Sequence, residues 1–528
     1  MNKTLKNIKV FINKYENFFL ILFLAIISIA SICYFYSHNE ILLYKDARAH
    51  LDIARRVIDS LTPGITQIGS IWLPLYQLLE IPFIWNNFLW HSGLAGSIIS
   101  GLSYIGASFF IYKIIYKLTK TKVTAFIGML FFSLNPNILY LQSVPLDEIT
   151  TLFFINASLY YLLTWSESKK IHYLILSALA IFFGSLVRYE TWFLTIFEII
   201  YIYFFIRKSK ELKKLESNVL LFSTLAFFGI FLWVTYNYLI WHNPLYFLNS
   251  EFSAKTQQLY FINKGLLNTK DNILLSIEIF FSDFAENAGY VATIMTFFAT
   301  IFLLFRKDKL YKKFFYFVTF SPILFILLSL YMGITILYTK MFPIPETSQV
   351  FNVRYGILAV IPTSIILAKT FSILAKKIKL KFIAYIFLLL ILIADMGIFY
   401  FTKPITVIAD GTNGLSAFGQ SNETSIAKQI TANCSSGLTL ISAGQNDKLM
   451  FASGLDMNKF IYEGSGSYWA TALNNPKNLA TCIVITTNDV VYQNFSTKQK
   501  LLNSYKVIYN SADTKVYKIK TTPEIKTK

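Results

Sequence analysis

Tyr44-Lys45-Asp46-Ala47-Arg48-Ala49-His50-Leu51-Asp52-Ile53-Ala54-Arg55-Arg56 is a polar break in an apolar chain. The run before it, Phe18 to Tyr36, is long enough to cross a hydrocarbon core, which takes about 20 residues. After the acid Asp46, the residues Ala47, Leu51, Ala54, Ile58 and Leu61 recur at helical spacing. Arg48, Asp52, Arg55, Arg56 and Asp59 take the other faces. The pattern predicts an amphipathic helix over 46–62, suited to a membrane surface and ended by Pro63-Gly64.

Working outward, 55% of the 528 residues are hydrophobic and only 15% are charged. A soluble domain has no use for that much apolar surface, whereas repeated long apolar runs are what bilayer crossing requires. Such runs lie near 17–37, 92–112, 123–146, 149–165, 171–187, 191–206, 217–241, 286–305, 314–338, 355–375 and 382–402. The chain therefore reads as a polytopic α-helical membrane protein with about 11 transmembrane helices. The net charge of +19 does not point to nucleic acid, because no nucleic-acid-binding motif accompanies it. The basic residues sit instead in short loops between the runs.

Those loops set the expected orientation. Lys3, Lys6, Lys9 and Lys14 precede the first run, and no small-residue cleavage site follows it, so it reads as a retained helix with a cytoplasmic N-terminus. Alternate connections then carry Lys113, Lys117, Lys120 and Lys122; Lys169 and Lys170; Arg207, Lys208, Lys210, Lys213 and Lys214; Arg306, Lys307, Lys309, Lys312 and Lys313; and Lys376, Lys377, Lys379 and Lys381. This fits the positive-inside rule provided that 71–90, with Pro74, Glu80, Pro82 and several Trp, lies along the outer interface and does not cross.

From Lys403 the composition shifts to Gly, Ser, Asn, Thr and Asp. Strand-length runs appear at Leu438–Ser442, Phe460–Tyr462, Cys482–Thr486, Tyr505–Tyr509 and Lys515–Ile519, separated by helix-like pieces. The expected division is a transmembrane domain over 1–402, with outer-face interfacial helices at 46–62 and 71–90, and a small extracytoplasmic α/β domain over 403–528. Cys434 and Cys482 fall in the latter, either paired, as an oxidising compartment permits, or as two buried thiols. Cys33, inside the first apolar run, reads as a packing residue.

The candidate chemistry gathers on the face opposite the basic loops. Asp46 is either a helix N-cap or a general base held rigid by the helix that follows it. Asp147-Glu148, between two apolar runs, either caps a helix or binds a divalent cation. Oxygen ligands alone suit Mg²⁺ or Mn²⁺, and adding His50 brings in Zn²⁺. Arg188 and Arg354 each stand in Val-Arg-Tyr at the end of an apolar run. Each either snorkels to headgroups or clamps a phosphate with its fork of donors, beside Tyr355 and the point charge of Lys340. Glu190 neutralises Arg188, which makes Arg354 the stronger phosphate ligand. His242, Tyr246 and Glu80 are lesser candidates. Glu198 and Asp395, inside apolar runs, are either functional or helix–helix hydrogen bonds. No Walker loop, dinucleotide fingerprint or Ser/His/Asp set is present.

The arrangement resembles the C-type (GT-C) glycosyltransferases, most of all the dolichyl-phosphate-mannose–protein mannosyltransferases and the lipid A aminoarabinose transferases. The resemblance rests on Asp46 after the first membrane helix, the amphipathic helix behind it, Trp72-Leu73-Pro74-Leu75-Tyr76, Asp147-Glu148, and Arg354-Tyr355. It covers about residues 15–402, and Trp72-Leu73 stands where relatives often have a charged residue and a second Pro. It implies an integral membrane glycosyltransferase, at the plasma or inner membrane, with a polyprenyl-phosphate sugar as donor. The acceptor would be a hydroxyl of a glycan, lipid or protein. Arg354, with Lys340, Arg188 and Tyr355, would hold the donor phosphate, and Asp46 would take the proton, with inversion at the anomeric carbon. The alternatives are a polysaccharide polymerase or ligase, which takes a glycan chain as donor, and a lipid-linked-sugar transporter, which calls for polar groups at the bilayer midplane and repeat symmetry.

Overall fold

The computed structural model describes residues 15–209, 215–250, 253–307, 310–345, 348–377, 381–402, 406–417 and 420–520. Lys3, Lys6, Lys9, Lys14, Lys210, Lys213, Lys214, Lys309, Lys379 and Lys403, on which the expected orientation and domain boundary partly rest, lie outside them. The described chain divides into two compact units. The first holds residues up to 41, 71–76 and 97–413, and the second holds 42–70, 77–96 and 414–528.

The first unit is helical. Glu16–Ser37, Leu94–Thr119, Glu216–Trp241, Tyr311–Tyr331, Val353–Lys376 and a helix starting at Phe382 are each long and apolar enough to cross a membrane. Ile273–Ala288 and Tyr290–Phe305 make a seventh if the pair, bent by 113°, is counted as one span. Of the eleven runs expected from the sequence, the remaining four do not meet that measure of length and apolarity among the described residues, for local reasons. The run 123–146 is two short helices, Lys122–Ser133 and Pro136–Leu141, broken where Asn135 caps the second with its side chain and Pro136 opens it. Ile171–Gly184 has 14 residues. Glu148–Ser168 and Glu190–Ser209 carry polar side chains such as Asn156 and Glu198 within them.

Small and polar residues lock these helices together, as expected where lipid supplies no hydrophobic drive between helices. A Cβ at Gly128 would stand 2.6 Å from both Ala368 and Ile115, so the helix Lys122–Ser133 approaches Val360–Lys377 as only glycine allows. Glu198 accepts hydrogen bonds from Ser158 (2.8 and 2.9 Å) and Ser177 (3.3 Å), knotting three helices. Asp395 accepts the backbone N–H groups of Val291 and Ala292 at 2.9 Å each, capping Tyr290–Phe305. Both intramembrane acids are thus helix–helix ties. Cys33 is exposed on its helix, so it faces outward and is not the packing residue expected.

The second unit is an α/β fold around a five-stranded sheet: β1 Leu438–Leu440, β2 Phe460–Ile461, β3 Ala480–Thr486, β4 Tyr505–Asn510 and β5 Thr514–Ile519. The order is β2-β1-β3-β5-β4, parallel from β2 to β3 and antiparallel at β3/β5 and β5/β4. The period of two along β3 sends Cys482 and Val484 to one core and Ile483 and Ile485 to the other. Cys434 and Cys482 are joined as a disulfide within the first of these cores.

That same core contains Leu51, Ala54, Ile84 and Trp90. The apolar side of the helix Lys45–Ile58, which the sequence assigns to a membrane surface, is therefore buried against the α/β fold. The segment 71–90 forms two helices, Leu75–Ile84 and Asn87–Ser92, in place of one. At the N-terminus of Ala443–Ser453, where parallel α/β sheets commonly hold an anion, Glu463 accepts from Ser442 Oγ and from Ala443 N–H at 2.8 Å. The sheet fills its own anion position.

Candidate functional site

In the first unit, five charged residues from three distant stretches, 147–148, 188–190 and 354, form one cluster. Asp147 and Glu148 follow a buried loop pinned from Leu94–Thr119: Ser97 donates to Ser143 O at 2.7 Å, and Ser100 to Val144 O at 2.9 Å and Leu146 O at 3.1 Å. Asp147 occupies the N-cap position of Glu148–Ser168, yet its side chain makes no capping hydrogen bond. It accepts instead from Arg188 at 2.7 Å.

Arg188 lies just before the helix Glu190–Ser209 and reaches three carboxylates: Asp147 at 2.7 Å, Glu148 at 3.0 Å and Glu190 at 2.8 Å. Burial works against its charge, but those carboxylates outweigh it and hold the guanidinium firmly protonated. Burial pushes the Asp147 carboxyl up from its ordinary range, against the pull of Arg188.

Arg354 arrives from a 3₁₀ turn, Val353–Ala359. Asn352 before it takes a left-handed conformation (φ 60°) that Asn tolerates, and donates to Ile336 O at 3.0 Å. Asn287, on Ile273–Ala288, donates to Val353 O at 2.7 Å and Asp283 Oδ1 at 2.9 Å, fixing the turn from below. Arg354 meets Glu148 at 3.3 Å. The Tyr355 ring lies 5.4 Å from the Arg188 guanidinium and 6.0 Å from that of Arg354. Three carboxylates and two guanidiniums thus form one buried cluster of net charge −1.

Lys340 is directed elsewhere. Its ammonium donates to Thr402 O at 2.6 Å and its backbone N–H to Glu286 at 3.0 Å. Of the two acids expected as cation ligands, Asp147 accepts from Arg188 at Oδ1 and Glu148 at Oε1, while Glu148 Oε2 has no hydrogen-bond partner among the described residues. Among the described residues, no group of three or more His, Cys, Asp or Glu is placed to hold a metal ion.

In the second unit, Asp46 is half-buried in the first turn of Lys45–Ile58, and Tyr44, not Asp46, is the N-cap. An acid there suits the helix macrodipole. His50, one turn on, is buried, and Gln77 Nε2 donates to its Nδ1 at 2.8 Å. Arg55 donates to Ile84 O at 2.8 Å, pairs with Asp59 and Asp456, and lies 4.6 Å over Trp90. Arg48 pairs with Glu423. These cations pair with carboxylates of the second unit.

The sequence pattern places Asp52 on a polar face. It is buried, accepts from Trp90 Nε1 at 3.3 Å, and its Oδ2 has no hydrogen-bond partner among the described residues. Burial pushes its carboxyl well above the ordinary range, with Arg56 opposing. Asp283, Glu286 and Asn287 are not among the candidates the sequence offers. Their signal was an acid, an acid and an amide at 283, 286 and 287, one helical face within an otherwise apolar segment.

No protein-family profile matches the chain, and no curated protein matches it. Among solved structures it is similar to ArnT from Cupriavidus metallidurans in the apo state, with a TM-score of 0.48 and 12% identity, over 89% of this chain and 92% of that one. A likeness at that level assigns no substrate and no residue role.

Proposed function

We propose that this chain is an integral membrane glycosyltransferase that moves a sugar from a polyprenyl-phosphate donor to an acceptor hydroxyl on the extracytoplasmic side. The observation that carries the reading is the buried cluster of Asp147, Glu148, Arg188, Glu190 and Arg354 among the ends of apolar helices. Charge is costly there unless it is used. The resemblance in layout to the C-type glycosyltransferases supplies the reaction class, and the disulfide supports an oxidising compartment for the second unit.

In this reading Arg188 is the anchor, committed to three carboxylates, and Arg354 is the exchangeable cation. Donor phosphate takes Arg354 from Glu148. A carboxylate left buried without its cation is expensive, so Glu148 takes up a proton as the phosphate docks. The acceptor oxygen attacks the anomeric carbon, the bond from that carbon to the phosphate oxygen breaks, and the acceptor proton passes to Asp46. The phosphate leaves as an anion held by Arg354, so it needs no acid. One displacement without a covalent intermediate gives inversion.

The test is to incubate membranes containing the full chain with radiolabelled polyprenyl-phosphate hexose and follow release of polyprenyl phosphate. Release that Asp46→Asn abolishes, in a variant retaining the wild-type melting profile, supports the enzyme. Movement of intact donor across vesicles without release would favour the transporter.

A further inference from the structure

We infer that Gln77 and His50 form an orienting pair for Asp46, in which Gln77 fixes the imidazole as the Nε2–H tautomer and His50 donates that hydrogen to the Asp46 carboxylate. The inference rests on the proposed role of Asp46 only for its catalytic consequence, since the pairing itself is a claim about hydrogen bonds.

His50 and Gln77 are 2% and 1% exposed, so their polar atoms must find partners inside the protein. The Gln77 amide nitrogen, a donor only, stands 2.8 Å from Nδ1. A neutral imidazole that accepts at Nδ1 carries its hydrogen at Nε2. His50 therefore offers a donor at its far nitrogen, and Nδ1 is closed to a metal.

Helix geometry says where that donor goes. Side chains on a helix lean toward its N-terminus and cover the preceding turn. The residue one turn before His50 on the same face is Asp46, four positions back in Lys45–Ile58. An N–H leaning over that turn meets the carboxylate, and it holds Asp46 as an unprotonated acceptor in a fixed rotamer. His50 is thus a positioning residue, and Gln77 positions it in turn.

The tautomer can be read on the unmutated full-length protein. The chain has 5 histidines, so ¹⁵N-histidine labelling in nanodiscs gives few ring resonances, with the His50 set identified by its loss in His50→Gln. The expected pattern is a non-protonated Nδ1 and a protonated Nε2, with the Nε2–H proton moving upfield in Asp46→Asn. A ring protonated at Nδ1, or an Nε2–H proton indifferent to Asp46→Asn, overturns the inference.

Gln77→Met adds a kinetic readout. It should lower kcat on the order of 100-fold, the usual cost of a reacting group displaced by about an ångström, with KM for polyprenyl-phosphate hexose unchanged. Unchanged kcat in a folded Gln77→Met protein also counts against the pair. If the spectra couple position 46 to His50 while Asp46→Asn keeps full turnover, the catalytic role of Asp46 fails and the hydrogen-bonded pair stands.

Discussion

Removing the Arg188 guanidinium tests the charge cluster where it is most committed. In Arg188→Ala, the carboxylates of Asp147, Glu148 and Glu190 lose a partner at 2.7, 3.0 and 2.8 Å. Their side chains are 8%, 3% and 5% exposed, so water cannot replace it. The local charge goes from −1 to −2, with only Arg354 left to balance three acids. Breaking a buried ion pair from one side costs about 3–5 kcal/mol, a factor of roughly 10² to several times 10³ in the unfolding equilibrium. Reversible SDS unfolding in mixed micelles, followed by tryptophan fluorescence, measures it. Glu190→Gln in the Arg188→Ala background should recover part of the loss, giving a coupling energy of about 1 kcal/mol or more between these touching residues. A loss below about 0.5 kcal/mol, the size of an ordinary surface substitution, would show that the cluster is not the buried network described.

Other outcomes follow from the same structure. Glu148→Gln removes the carboxylate that competes with phosphate for Arg354, so donor binding should tighten about 10- to 100-fold, read as a lower Kd for polyprenyl-phosphate hexose. The second unit should lose stability as pH rises. Asp52 binds its proton more tightly folded than unfolded, so its contribution is complete below the unfolded pKa near 4 and is lost as pH rises through the higher folded value. Unfolding midpoints against pH should show this slope, and Asp52→Asn should flatten it. The disulfide closes a loop of sequence separation 48. Chain entropy alone then gives roughly 4 kcal/mol, and Cys434→Ala/Cys482→Ala should lower the stability of the second unit by up to that amount in a denaturant titration.

Much of the fold could be read from residue patterns. The strand runs around Leu438, Phe460, Cys482, Tyr505 and Lys515 became the five strands because β-branched, strand-length runs bounded by turns have few other uses. The acids at 147 and 148 and the arginines at 188 and 354 were visible because charge beside an apolar run calls for an explanation. Their mutual pairing was not, since ion pairs across 40 or more positions depend on packing that no local pattern encodes. The break at Asn135-Pro136 carried a turn signature that the surrounding hydropathy concealed. The helix Ile273–Ala288 was missed for the opposite reason: Glu278, Asp283 and Glu286 lower its apolar character until it resembles a loop. The partner of Lys45–Ile58 was also hidden, because an amphipathic face looks the same whether it meets lipid or a protein core.

Steady-state kinetics on the two variants test the proposed division of labour between Asp46 and Arg354 most directly. With polyprenyl-phosphate hexose and full-length protein in nanodiscs, Asp46→Asn should abolish turnover while leaving the donor Kd unchanged, and Arg354→Ala should raise KM for the donor more than it lowers kcat. Turnover surviving in Asp46→Asn, or an unaltered donor KM in Arg354→Ala, would contradict it.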